Sequence, residues 1–392
     1  MKGRIDMNQT NSILLQNARV VLPGQIPRRD VRVTDGRIAA IEAHIQPIEG
    51  EQVLPLKGAY LMPGFIDTHT HGAMGEVYFK PEDDINKITA FEVTKGVTTV
   101  AAGLPTSSVE RFEASAKKVL ELMRQGTEGA RIGGIHAEGP FLNPKRKGGM
   151  VQQYLRKPTL EDFQWMYDVC EGEMRLLTIA PELPGSLDVI KAAVNAGVAV
   201  SAGHTDATYE EMCAGIDAGV TRMTHTFNAA RPINHRDPGV LAAALCDPRV
   251  TCEVICDFTH LHPAAVELIY KIKGSSRFTA ISDSEFCAGL PDGNYEQDGR
   301  HYRVERGVGW LDDGTICGSA GNLLMGVRNL HTLGIPLWEI AEMTALNPAK
   351  ALGIELETGS IAVGKAADLA VLSEGLDIRY TFVDGRCVYK NL

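Results

Sequence analysis

Pro63-Gly64-Phe65-Ile66-Asp67-Thr68-His69-Thr70-His71-Gly72 is an apolar run that ends in two histidines at alternate positions. In an extended strand, residues i and i+2 share a face, so both imidazoles can reach one ion. The same pattern recurs along the chain, in strand-like runs at Gly64–His71, Val97–Leu104, Ile132–Glu138, Leu176–Pro181, Val198–His204, Thr221–His225, Cys252–Asp257 and Phe278–Asp283. Helical stretches separate them. Val109–Arg124 carries Phe112, Ala116, Val119, Leu120 and Met123 at helical spacing, and Leu187–Ala196 stops before Gly197. Eight strands alternating with helices predict an α/β fold, a (β/α)8 TIM-type barrel.

The two ends of the chain read differently. Short alternating strands at Ile13–Leu15, Ala18–Leu22, Val31–Val33 and Ile38–Ile41 surround the hairpin signal Asp35-Gly36. Ala367–Leu372 and Tyr380–Val383, then the turn Asp384-Gly385 and Arg386–Tyr389, make a matching set. Neither set can close a core alone, so the termini are expected to pair into one small β-sandwich. The expected domains are residues 1–60 plus 357–392 for the sandwich and 61–356 for the barrel.

Composition narrows the function. The 392 residues are 44% hydrophobic and 22% charged, as in a globular protein with a large core. A net charge of −10 leaves no basic stripe for a phosphate polymer, so nucleic acid is not an expected partner. No run approaches the ~20 apolar residues that a membrane-spanning helix needs. The eight cysteines form no Cys-x-x-Cys pair, and the first residues hold no apolar signal core, which points to the cytoplasm and to cysteines used as small core residues.

Polar residues end the apolar runs: His69 and His71, Glu138, His204, His225, Asp257 and Asp283. In a barrel, the C-terminal strand ends make one face, where residues over 200 positions apart converge. Imidazole and carboxylate together are a ligand set for zinc and similar divalent ions. His69 and His71 alone fit two hydrogen-bonded strand-end histidines equally well. Eight of the eleven histidines between His69 and His262 tilt the reading toward ligands. Glu138 is read as a ligand or bridge against a solvated loop glutamate. His136 is either a ligand or a residue packed behind the ligands. Asp283 is read as a carboxylate that moves a proton, against a buried structural aspartate.

These residues lie in stretches that resemble the N-acetylglucosamine-6-phosphate deacetylases of the amidohydrolase superfamily. The resemblance covers nearly the whole chain. Its stretches are Pro63–Gly72, His136-Ala137-Glu138-Gly139-Pro140-Phe141-Leu142-Asn143, Ser201-Ala202-Gly203-His204, Thr224-His225-Thr226-Phe227-Asn228-Ala229, Arg236-Asp237-Pro238-Gly239, Gly289–Gly293 and Gly359–Leu369. It implies Glu138, His204 and His225 as principal metal ligands, with Asp283 as a metal-site residue and the catalytic acid/base. His69 and His71 would hold a second ion in members that keep one. One or two divalent ions per subunit are implied, zinc first, with iron, manganese, cobalt or nickel as alternatives. Asn228, the backbone at Ala229, Arg236 and His260 match positions that grip the sugar phosphate. Some of that grip comes from a neighbouring subunit in the family, so a homodimer is implied.

The expected reaction is hydrolysis of the N-acetyl group of an amino sugar 6-phosphate, N-acetylglucosamine 6-phosphate first. Three positions depart from the family pattern: Met150 where a substrate-contacting histidine is usual, Ala230 where methionine is common, and Glu285 among residues usually small. They leave open N-acetylgalactosamine 6-phosphate, an unphosphorylated acyl amino sugar, or another amide such as an N-acyl amino acid. Cyclic-amide hydrolysis is disfavoured, because Leu176–Pro181 has no lysine to bridge metals. An inactive barrel used as a scaffold is the remaining alternative, and none of the six expected metal-site residues is missing.

Overall fold

The computed structural model describes residues 12–391, except 306, 307, 313 and 315 and the side chain of Cys317. Its centre is an eight-stranded, all-parallel sheet: β1 (Phe65–Thr70), β2 (Val97–Pro105), β3 (Arg131–Glu138), β4 (Met174–Ile179), β5 (Ala199–Ala202), β6 (Arg222–Met223), β7 (Thr251–Ile255) and β8 (Phe278–Ile281). The strands neighbour one another in chain order. The ring closes where the Asp283 N–H donates to His69 O (2.9 Å), with the Thr70 and Ser284 hydroxyls 2.7 Å apart.

The βα units follow from local chemistry. The helix Val109–Gln125 begins where the Ser108 hydroxyl accepts the Arg111 N–H, buries Phe112, Ala116, Val119 and Leu120, and stops at Gly126. The helix Tyr209–Ala218 opens on a capping box between Thr208 and Glu211. Phe65, Val97, Val119, Leu177, Val200, Val254 and Phe278 belong to one continuous core cluster of strands and surrounding helices.

Both chain ends contribute to a second sheet, in the order Arg386–Lys390, Ile378–Val383, Leu369–Leu372, Tyr60–Pro63, Ser12–Val20, Arg28–Thr34, Arg37–Glu42, with Gln52–Pro55 beside Ser12–Val20. Two strands expected near the N-terminus are one, kinked by a register shift between Leu15 and Ala18. The layers come from one continuous sheet that wraps on itself: Arg37 bridges to Ala366, and Leu15, Val31, Ile38, Leu61, Leu369 and Phe382 share a core. The hairpin tips Asp35-Gly36 and Asp384-Gly385 meet there. A Cβ on Gly36 would sit 2.8 Å from Asp384 O, so the contact requires glycine. Arg131 at the start of β3 ties this sheet to the barrel, with Nη2 2.9 Å from both Asp368 oxygens.

One element was not foreseen. After β8 the chain makes a four-stranded antiparallel meander: Gly293–Gln297, Arg300–Glu305, Val308–Leu311 and Ile316–Ser319. Its last strand adds to the barrel rim through a Ser284–Ser319 bridge.

Candidate active site

A cavity of about 960 Å³ opens at the C-terminal ends of the barrel strands. His71, Glu138, His204, His225 and Asp283 line its floor, and His69 is fully buried beside them. Glu138 ends β3 and is the meeting point. His204 Nε2 and His225 Nε2 lie 3.2 and 3.3 Å from its Oε1, His69 Nε2 lies 3.3 Å from the same oxygen, and His71 Nε2 lies 3.1 Å from Oε2. Asp283 Oδ1 is 3.3 Å from His69 Nε2 and 3.6 Å from His71 Nε2. Two ligand groups result, His69–His71–Glu138 and Glu138–His204–His225, each with its donor atoms within 4.8 Å of one another.

The backbone aims these side chains. His204, His225 and Asp283 all have positive φ (48, 25 and 49°), a conformation non-glycine residues avoid, which turns each side chain at the point where its strand stops. A register shift between Asp67 and Thr70 falls at the first histidine of the pair, and Asp67 Oδ1 accepts the N–H groups of His69 and Ser282.

The imidazoles are oriented from behind. Nδ1 of His204 faces Arg146 O (2.9 Å), Nδ1 of His225 faces Asn228 O (3.2 Å), and Nδ1 of His71 faces Gly103 O (3.4 Å). A carbonyl only accepts, so each Nδ1 carries the proton, and in the neutral ring Nε2 is left a bare lone pair. The Nε2 atoms of His204 and His225 then face each other at 3.0 Å and share Glu138 Oε1. So many acceptors around one point repel unless a cation sits among them, which is the donor chemistry of a divalent metal site. His69 Nε2, buried and without a hydrogen-bond partner among the described residues, belongs to the same set.

Protons can stand in for a cation at this point, and the buried carboxylates draw them onto the rings. Burial disfavours charge on His69, yet Glu138 and Asp283 hold its pKa well above the usual imidazole range. Burial likewise opposes charge on His71, and the hydrogen bond to Glu138 raises it to about 9. Burial alone would raise the Glu138 carboxyl. The charge of His69 and the hydrogen bonds from His204 and His225 push it well below the ordinary range instead. His136 goes the other way, to about 3, because it is buried beside the charge of His69. It is a neutral ring whose Nε2 meets Thr178 Oγ1 at 2.9 Å, packed behind the ligand set. Glu285, two residues past Asp283, is raised to about 7 by burial and the neighbouring Asp283 charge, with His71 opposing.

Of the expected sugar contacts, Asn228, Ala229 and His260 line the cavity. Asn228 Nδ2 is buried without an acceptor among the described residues. His260 is fixed by Asp257, whose Oδ2 lies 2.7 Å from its Nδ1. Arg236 is not brought in: it sits on an exposed turn outside the cavity lining, its backbone N–H bonded to Asn234. Met150 and Glu285 do line the cavity, and Ala230 is buried.

Two structural partners went unread in the sequence. Glu253, fully buried on β7, faces His69 Nδ1 at 3.3 Å and accepts from Arg222 Nε at 2.9 Å. The signal was a charge inside an apolar run, Thr251-Cys252-Glu253-Val254-Ile255. The other is Arg300 of the meander, which donates to Gly149 O (3.0 Å) and so holds the loop carrying Met150.

The model of the amidohydrolase family matches residues 60–388. The N-acetylglucosamine-6-phosphate deacetylase of Vibrio furnissii is 35% identical over 95% of this chain and 94% of its own length. The chain belongs to the N-acetylglucosamine-6-phosphate deacetylase family of amidohydrolases. This amidohydrolase is also 31% identical, over 93% of the chain and 95% of the relative, to the N-acetylgalactosamine-6-phosphate deacetylase of Escherichia coli O157:H7. Among solved structures, an aspartate-to-alanine mutant of N-acetyl-D-glucosamine-6-phosphate deacetylase from Mycobacterium smegmatis, in complex with N-acetyl-D-glucosamine-6-phosphate, superposes with a TM-score of 0.89 at 33% identity. That match covers 96% of this chain and 99% of the other. No helix among the described residues is long and apolar enough to cross a membrane.

Proposed function

We propose that this amidohydrolase removes the N-acetyl group from an amino sugar 6-phosphate, N-acetylglucosamine 6-phosphate first, giving acetate and the amino sugar phosphate. The carrying observation is the pair of ligand groups joined at Glu138 with Asp283 Oδ1 beside them. Glu138, His204 and His225 would hold one divalent ion, and His69 and His71 a second that shares Glu138. Zinc is the first choice, with iron, manganese, cobalt or nickel as alternatives. When bound, such an ion supplies a Lewis acid that polarises a carbonyl oxygen and makes water more acidic. Asp283 takes the proton from the attacking water and returns it to the departing amine nitrogen. Glu253, through its contact with His69 Nδ1, keeps that ring's Nε2 turned to the site.

Asn228, the backbone at Ala229 and His260 hold the sugar phosphate. Arg236 is assigned to the phosphate of a neighbouring site in a cytoplasmic homodimer, where its planar fork suits an oxyanion. Residues 1–60 and 357–392, of which 1–11 lie outside the described residues, would form the sheet domain of each subunit and 61–356 the catalytic barrel, although the sheet strand Tyr60–Pro63 runs past the first of these bounds. The mixing test is direct. Asp283→Asn and Arg236→Met, each poorly active alone, should regain acetate release when co-refolded, because a hybrid dimer holds one complete site. No recovery, with both variants dimeric, would remove Arg236 from the neighbouring site.

The reaction is tested by acetate release on metal-reconstituted protein, with N-acetylglucosamine 6-phosphate, its unphosphorylated form and N-acetylgalactosamine 6-phosphate side by side. Fast release confined to the phosphorylated sugars is expected. Release from none of the three, with the ion bound, would overturn the reading. N-acetylgalactosamine 6-phosphate is the second candidate, because one relative carries that activity and Met150 and Glu285 reshape the cavity wall.

A further inference from the structure

We infer that Glu285 reads the sugar, accepting a hydrogen bond from one ring hydroxyl of the bound substrate and so ranking amino sugars that differ there. The inference rests on the deacetylase reading and names a residue that sets its specificity.

Glu285 lies on the cavity wall two residues past Asp283, and both are held by the last meander strand, Ile316–Ser319. The Glu285 N–H donates to Ser319 O (3.0 Å), and the Ser319 N–H donates to Asp283 O (2.7 Å). The side chain has a seat cut for it. A Cβ built on Gly318 would lie 2.2 Å from Glu285 Cγ and 3.0 Å from Glu285 Cβ, and Gly318 has φ +60°. Any side chain at 318 would displace the glutamate, so the glycine and the carboxylate are shaped to each other. That seat gives Glu285 a fixed position in the cavity instead of the freedom of a solvated loop.

Its carboxylate is left needing donors. The side-chain hydrogen bond it accepts is a long one, 3.4 Å, from the adjacent Phe286 N–H, and no Lys or Arg pairs with it among the described residues. A half-buried carboxylate without strong donors is costly, and the cost falls when a ligand brings them. An amino sugar offers ring hydroxyls, and a carboxylate fixed against backbone can accept from one without losing side-chain freedom. Glu285 is not part of either ligand group around Glu138, which leaves it free for substrate.

Wild type, Glu285→Ala and Gly318→Ala, each full-length and metal-reconstituted, would be assayed on N-acetylglucosamine 6-phosphate, its C4 epimer, and the 3-deoxy and 4-deoxy analogues. Wild type should lose at least tenfold in kcat/KM on the analogue lacking the hydroxyl that Glu285 holds. Glu285→Ala should be slowed tenfold or more on the parent sugar, chiefly through KM, and lose no more than about twofold further on that analogue. Gly318→Ala should follow Glu285→Ala in KM and, because its Cβ would also lie 3.0 Å from Asp283 O, lose kcat besides, with ion content unchanged in all three. Wild-type sensitivity to every hydroxyl retained in Glu285→Ala would overturn the inference. Loss of an ion in that variant would do so as well, by making Glu285 a ligand. A wild type inactive on every sugar would instead bring down the deacetylase reading, and the inference with it.

Discussion

Two groups of buried acids lie close to β1, and the fold treats them in opposite ways. On the cavity side, Glu138 and Glu253 meet four imidazoles and Arg222. Burial opposes their ionisation, but these partners win: Glu138 falls well below the ordinary range and Glu253 to about 2. Asp67 on β1 itself and Glu92 on the helix Ile85–Val93 are equally buried, and Tyr78 lies with them. Asp67 Oδ2, both Glu92 oxygens and Tyr78 Oη have no hydrogen-bond partner among the described residues. Burial now prevails, raising Asp67 to about 6 and Glu92 to about 8. Burial alone therefore does not make a cation site. Acceptors must converge, with their own donors turned outward, and only the first group does this.

Removing the hub of the first group is the harshest test of that contrast. Glu138→Ala takes the shared oxygens from both ligand groups, so bound metal should fall towards zero by elemental analysis and acetate release should become undetectable. A variant that keeps its full ion content would place the metal elsewhere. Asp283→Asn is the next largest effect. It keeps the shape and removes the charge, so the ion should stay, held by Glu138 and the imidazoles, while turnover drops roughly 10²–10⁴-fold, the usual scale for a lost general acid-base group. Near-normal turnover would hand that role to another residue.

How much of this contrast can be read from sequence depends on where the partners come from. His69, His71, Glu138, His204, His225 and Asp283 are legible because each ends an apolar run, and a barrel gathers strand ends at one face. The positive φ values of His204, His225 and Asp283 are not legible, since the signal glycine would give is absent. Glu253 and Arg222 stand on neighbouring strands whose pairing only the closed sheet creates, with Arg222 opposite Thr251. The meander could have been suspected from the alternation in Tyr295, Tyr302 and Val304, but its docking rests on long-range contacts, the Ser319–Ser284 bridge, Arg300 on Gly149 O and the packing of Tyr302 and Val304 with Val77 and Phe286. The terminal sheet was inferable because each half lacks partners. Its wrapping was not, because the meeting of Gly36 with Gly385 joins hairpins about 350 residues apart. Glu92 looks in sequence like any helix glutamate; its burial is a property of the assembled barrel.

The second group makes a claim about stability, and its effect is the smallest. In the unfolded chain Glu92 titrates near 4.5, while in the fold burial, with the Asp67 charge adding, raises it to about 8. Below pH 4.5 both states carry the proton and the residue costs nothing. Between pH 4.5 and 8 the unfolded chain releases its proton and the fold does not, so stability declines by about 1.4 kcal/mol per pH unit, or about 3 kcal/mol by pH 7. Glu92→Gln keeps the shape without the charge, and its advantage over wild type should be near zero at pH 4.5 and grow to that size at pH 7. Thermal melts of the pair from pH 4.5 to 8 read the difference, with other titrations cancelling. A difference that stays flat would mean that Glu92 is ionised in the fold and has a positive partner after all. Tyr78→Phe sharpens the point. Burial and the two acids hold that phenol well above its ordinary pKa of 10, so it is neutral in both states across this range. Losing its unpartnered hydroxyl should change stability by no more than about 1 kcal/mol, and by the same amount at every pH. A slope in that variant would mean that the phenol hydrogen is shared with Glu92, and that the acids are a bonded network in place of an isolated pair.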